Sequence, residues 1–94
     1  MSFLLKDPLA TVDYTVDWRA DYLDEADSLV DSQWAVEPDE PGGVTVASDS
    51  FTVSEAKVSV AGGIAGRIYR LNNRVLTAAG LEDRRSVTIR VEAR

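Results

Sequence analysis

Alternation with a period of two constrains this chain more than any other feature. In residues 11–18, Val12, Tyr14, Val16 and Trp18 fall on one side, and Asp13, Thr15 and Asp17 on the other. That is the mark of a half-buried antiparallel strand. Residues 66–77 alternate over a longer stretch. Tyr69, Leu71, Asn73, Val75 and Thr77 share one face, and Ile68, Arg70, Asn72, Arg74 and Leu76 share the other. A helix would scatter both sets around its axis, because its side chains repeat every 3.6 residues.

The remaining segments follow the same rule. Residues 28–36 set Val30, Trp34 and Val36 against Asp31 and Gln33, with Trp34 as the expected core anchor. An indole can fill the space between two sheets, so Trp34→Ala is expected to cost about 3–5 kcal/mol. Two prolines and two glycines in 37–43 mark a turn. Short strands are expected at 44–46, 51–53 and 56–60, with Val44, Val46, Phe51, Val53, Val58 and Val60 inward. After a turn at 78–83 the last strand covers 85–92, with Val87, Ile89 and Val91 inward. Many short strands with turns between them predict an all-β sandwich or barrel. The fold class is an immunoglobulin-like antiparallel β-sandwich of about seven strands, with Trp34 on strand C, Tyr69 on strand F and Trp18 ending strand B. Strand C′ and its neighbour would lie in 44–53, E in 56–60 and G in 84–92. Residues 10–94 form the sandwich. Residues 1–9, without periodicity and carrying Pro8, are expected as an extended N-terminal arm that leaves Phe3, Leu4 and Leu5 for a partner or for the domain's own edge.

Chemistry is scarce. The chain has neither Cys nor His, so disulfides, thiolate metal sites and the usual neutral-pH general base are absent. The glycines of 61–66 have no following Lys, unlike a phosphate loop, and read as the turn before strand F. Asp21, Asp24, Glu25 and Asp27 crowd 19–27 without the spacing or glycine of a Ca²⁺ loop. No catalytic, cofactor or metal site is expected. No apolar run approaches the roughly 20 residues that span a bilayer, so a soluble protein made in the cytoplasm is expected.

The net charge of −6 is unevenly spread. Residues 1–49 carry 12 acids against Lys6 and Arg19, a net of −10, whereas 50–94 carry 8 bases against 4 acids, a net of +4. An acidic total argues against a dedicated nucleic-acid binder. The outward faces of strands C, F and G gather Arg70, Arg74 and Arg90, with Asp31 a candidate partner for Arg70. Such an arginine-rich face suits an acidic protein surface.

Several stretches resemble small structural proteins of tailed bacteriophages of the fibre–tail adaptor type. They are Lys6-Asp7-Pro8, Val12-Asp13-Tyr14-Thr15-Val16-Asp17-Trp18, Trp34-Ala35-Val36, Gly62-Gly63, Tyr69-Arg70-Leu71-Asn72-Asn73-Arg74 and Asp83-Arg84-Arg85-Ser86-Val87-Thr88-Ile89-Arg90-Val91. The chain departs from them in its acidic 19–27 loop and Glu37–Pro41 turn. The resemblance implies a single immunoglobulin-like module in the virion, without catalysis, holding tail, neck, fibre or baseplate proteins together in many symmetric copies. It implies no membrane and no nucleic-acid partner. Two alternatives are a capsid decoration (cement) protein and a carbohydrate- or receptor-binding module. The second would need exposed aromatics, for which Trp18 and Tyr22 are the candidates.

Overall fold

A computed structural model describes residues 3–21 and 26–93. The elements run β1 (Phe3–Lys6), β2 (Val12–Asp17), a single helical turn α1 (Trp18–Asp21), β3 (Leu29–Glu37), β4 (Val44–Phe51), β5 (Glu55–Gly62), β6 (Ile68–Thr77) and β7 (Glu82–Val91). They form two facing sheets, ordered β1-β7-β6-β3 and β2-β5-β4. This is the immunoglobulin-like sandwich that the alternation predicts, with Trp34 on the C strand and Tyr69 at the head of the F strand.

Four local expectations change. The first strand is no free arm: Phe3–Lys6 pairs in parallel with Thr88–Val91 at the sheet edge, so the sandwich is not purely antiparallel. Burial of Lys6 holds it there. The Lys6 ammonium donates to the carbonyls of Asp7 and Gly62, the latter at the end of β5 in the opposite sheet. Desolvation lowers its pKa. Second, the 44–53 segment holds a single strand, β4, and it pairs with β5 in the opposite sheet rather than with β3 as a C′ strand would. Third, a bulge between Leu29 and Asp31 shifts the register of β3 by one residue. Leu29 is therefore buried, while Val30 is 50% exposed. Fourth, Phe51 and Val53 are exposed, not inward. A second register shift, between Val46 and Ser48, precedes Phe51, and Val53 lies beyond the strand's end.

The core has two clusters. Val44, Val58, Val60, Tyr69, Leu71, Val87, Ile89 and Val91 form one, and Val16, Trp18, Leu29, Ala56 and Val75 the other. Tyr14 and Trp34 touch both, their rings edge-on at 6.4 Å. Of the three expected anchors, Trp18 and Tyr69 are each 1% exposed. Trp34 is half-buried, and its indole N–H is buried without a hydrogen-bond partner. Tyr69 ties the end of the domain together: its hydroxyl donates to Glu40 Oε1 (2.8 Å) and accepts from the Ile64 N–H (3.2 Å). Gly62 has φ +76°, and a Cβ there would lie 2.6 Å from the Gly43 carbonyl oxygen. Only glycine satisfies both conditions.

Asn73 places an amide fully inside the core. Asn73 accepts from Trp18 Nε1 (2.8 Å) and donates to Ser32 Oγ (3.0 Å) and the Gln33 carbonyl (3.2 Å). Asn73→Ala is expected to destabilise the domain by about 2–4 kcal/mol, because it strands a buried donor and an acceptor. Trp34→Phe removes a donor that has no partner and is expected to change stability by less than about 1 kcal/mol. Urea unfolding of the two variants checks the contrast; equal losses would contradict it.

Candidate functional site

The outer face of the four-stranded sheet follows from the register. Five rows cross the strands: Leu5–Arg90–Ile68; Phe3–Thr88–Arg70–Glu37; Ser86–Asn72–Ala35; Arg84–Arg74–Gln33; and Glu82–Leu76–Asp31. Side chains within a row are cross-strand neighbours. Phe3, Leu5, Arg70, Arg74 and Arg90 are thus brought to one face, although the sequence separates them by up to 87 positions. Leu4 is not among them. It lies opposite Ile89 and packs inward on the core, because alternation along β1 sends it to the other side.

At one corner three apolar side chains lie in the open: Phe3 (55% exposed), Leu5 (45%) and Ile68 (60%). Arg90 stands between Leu5 and Ile68, and Arg70 lies in the next row. The expected Asp31–Arg70 pair does not form, since the β3 register sets Arg70 opposite Glu37 and Asp31 opposite Leu76. Arg74 bonds instead to Glu82 Oε2 (2.6 Å) and Gln33 Oε1 (3.3 Å), and Arg90 to Glu92 Oε1 (2.8 Å). Arg70 makes no ion pair among the described residues. The hydrogen bond and charge of Arg74 hold the Glu82 carboxyl below the usual carboxylate range, and Glu82 in turn raises Arg74.

Ile68 and Arg84 complete the face but were not singled out from the sequence as contacts. The alternation of β6 places Ile68 beside Arg70. Arg84 lies on the face because β7 begins at Glu82, three residues earlier than the sequence indicates. The outer face of the other sheet is different: a shallow, polar groove of about 440 Å³ lined by Asp13, Thr15, Ser48, Ser50, Lys57 and Ser59, with the Ser59 hydroxyl bonded to Asp13. Among the described residues no three acidic side chains gather as metal ligands would, and no helix is long and apolar enough to cross a membrane. Asp24 and Glu25 of the acidic stretch lie outside the described residues, as does Tyr22. Trp18, at 1% exposure and beneath the Arg85 guanidinium (5.2 Å), offers no surface to a sugar.

The family described as podophage GP4 fiber-tail adaptor protein gp77 matches residues 6–90. The chain belongs to that family. The resemblance to fibre–tail adaptors thus holds across both sheets of the sandwich, from Lys6 at the end of β1 to Arg90 in β7. Among solved structures, the chain is similar to the solution structure of the PKD domain from KIAA 1837 protein, with a TM-score of 0.57 and 18% identity, covering 99% of this chain and 82% of that one. That likeness concerns the fold alone. No curated protein matches the chain. The gp77-family chain therefore carries an adaptor family's sequence on a two-sheet sandwich.

The Arg74–Glu82 pair gives that face a measurable signature. The Glu82 carboxyl is expected to titrate below the ordinary value of about 4.3, and Arg74→Ala to raise it. The pair forms at neutral pH and is released as pH falls through the lowered pKa of Glu82. Carboxyl-carbon NMR titration of both proteins checks this; an unchanged Glu82 midpoint in the variant would contradict it.

Proposed function

We propose that the protein is a non-enzymatic virion component, an adaptor joining tail or neck proteins to fibre or baseplate parts. It binds with the outer face of its four-stranded sheet. The observation that carries the reading is the corner where Phe3, Leu5 and Ile68 lie exposed beside Arg70 and Arg90. Apolar anchors next to arginines match the composition of protein contacts, where aromatics and Arg are enriched. The domain measures 43 × 22 × 17 Å, so one broad face can supply the roughly 800 Å² per partner of a standard interface. The Arg90–Glu92 pair is exposed and worth little by itself, so it yields readily to a partner's carboxylate. Many symmetric copies in the particle, with neither nucleic acid nor membrane as partner, complete the reading. An acidic chain of net charge −6 agrees with it.

Combined replacement of Phe3, Leu5 and Ile68 by Ser is expected to leave the fold intact and to abolish incorporation into particles. Circular dichroism and the protein content of purified virions measure the two. Wild-type incorporation of a folded triple variant would overturn the proposal.

A further inference from the structure

The opposite margin of the same sheet carries a second, different feature. Strand β3, nine residues long, ends the sheet order, and its ladder runs to β6 alone. Among the described residues, no backbone bond reaches the far edge of 30–37. The C′ strand that would cover this edge does not exist here, because β4 joins the other sheet. Beside the edge lies a groove of about 400 Å³, walled by Arg70, Arg74 and Arg84 and by Gln33 and Glu37 of β3. Its floor is formed by the short side chains of Asn72 and Ala35, with longer side chains in the rows on either side.

We infer that the free edge of β3 takes up an extended, acidic segment of a partner protein as a fifth strand. One carboxylate of that segment reaches over Ala35 into the arginine groove. The geometry selects this chemistry. An added strand lies about 4.8 Å beyond β3 and about twice that from β6. A glutamate opposite Ala35 meets no obstructing side chain; Arg70, on β6, is placed to grip it, and Arg84, one strand further on β7, adds positive charge to the groove. Neither of these arginines has an ion-pair partner among the described residues, although Arg84 stands close enough to Glu82 to help lower its pKa. Glu37 sets the limit: an acid directly opposite it is repelled, so the segment's carboxylate belongs in the Ala35 row. Strand addition supplies affinity through the backbone, and the groove supplies selection. This contact rests on the adaptor reading only for its use. An adaptor must hold two partners at once, and the apolar corner and the β3 edge lie at opposite margins of one sheet.

The test is an NMR titration of the whole domain with two synthetic peptides of alternating threonine and valine. One has a central glutamate, the other a central lysine. The expected result is a set of shifts in the β3 amides and in the Arg70 and Arg84 side chains with the glutamate peptide. The lysine peptide is expected to bind at least about tenfold more weakly, as is the Arg70→Ala, Arg84→Ala double variant with the glutamate peptide. Neither arginine is held within the fold, so the variant is expected to keep its spectrum elsewhere. Four outcomes overturn the inference: no shifts in β3, equal binding of both peptides, shifts in the arginines alone, or concentration-dependent shifts without peptide, which would assign the edge to a second copy of this chain. Loss of particle incorporation in the Phe3, Leu5, Ile68 variant is independent of each of these results.

Discussion

The hydrogen bond from Trp18 to Asn73, buried between the two sheets, is the constraint on which the rest depends. Trp18 follows β2 in one sheet, and Asn73 lies in the middle of β6 in the other. An amide in a valine-rich interior is tolerated only when its polar atoms are satisfied. Asn73 meets that condition with three bonds, two of them to β3. The arrangement exists in one register alone. A slip of β6 by one residue would turn Asn73 outward and drive Arg70 and Arg74 into the core, where unpaired charge is prohibitive. The polar node thereby decides which side of β6 is the surface, and with it the five rows of the exposed face.

Both margins of that face are finished by particular side chains. At one, burial of Lys6 pins a short parallel strand that would otherwise have little to hold it, and so presents Phe3 and Leu5 outward. At the other, β4 departs to the opposite sheet and leaves β3 with an unpaired edge. Unpaired edges invite association and are usually blunted by charge or bulges. Here a bulge near Leu29 and the charge of Glu37 bracket a straight stretch between them.

Much of this was legible in the residues. The alternation of 11–18 and 66–77 specified the strands β2 and β6 and their faces, down to the placement of Asn73 and Thr77 beside Tyr69 and Leu71, although Trp18, expected to end the first of them, opens the helical turn α1 instead. It also put Arg70 and Arg74 outside. What was not legible came from interactions between distant segments. Bulges at 29–31 and 46–48 change which residues face inward, and periodicity cannot foresee an inserted residue. Hence Leu29 takes the core position that periodicity assigns to Val30. Sheet membership of β4 depends on a choice between two partners, β3 and β5, both its neighbours along the chain. Lys6 reads as a surface cation until Gly62 supplies a carbonyl from 56 residues away. The alternation of 28–36 makes Trp34 a core anchor beside Tyr69 and Trp18, but β3 lies at a sheet margin, so the indole is only half covered, while Trp18 and Tyr69 are fully buried.

A reconstruction of the intact virion at side-chain resolution tests the central claim most directly. The account predicts that the outer face of β1-β7-β6-β3 is covered by neighbouring proteins, with Phe3, Leu5 and Ile68 in the contact, while the polar face of β2-β5-β4 remains in solvent. The reverse arrangement, with the arginine face open to water and the Asp13–Ser59 face in contact, would contradict it.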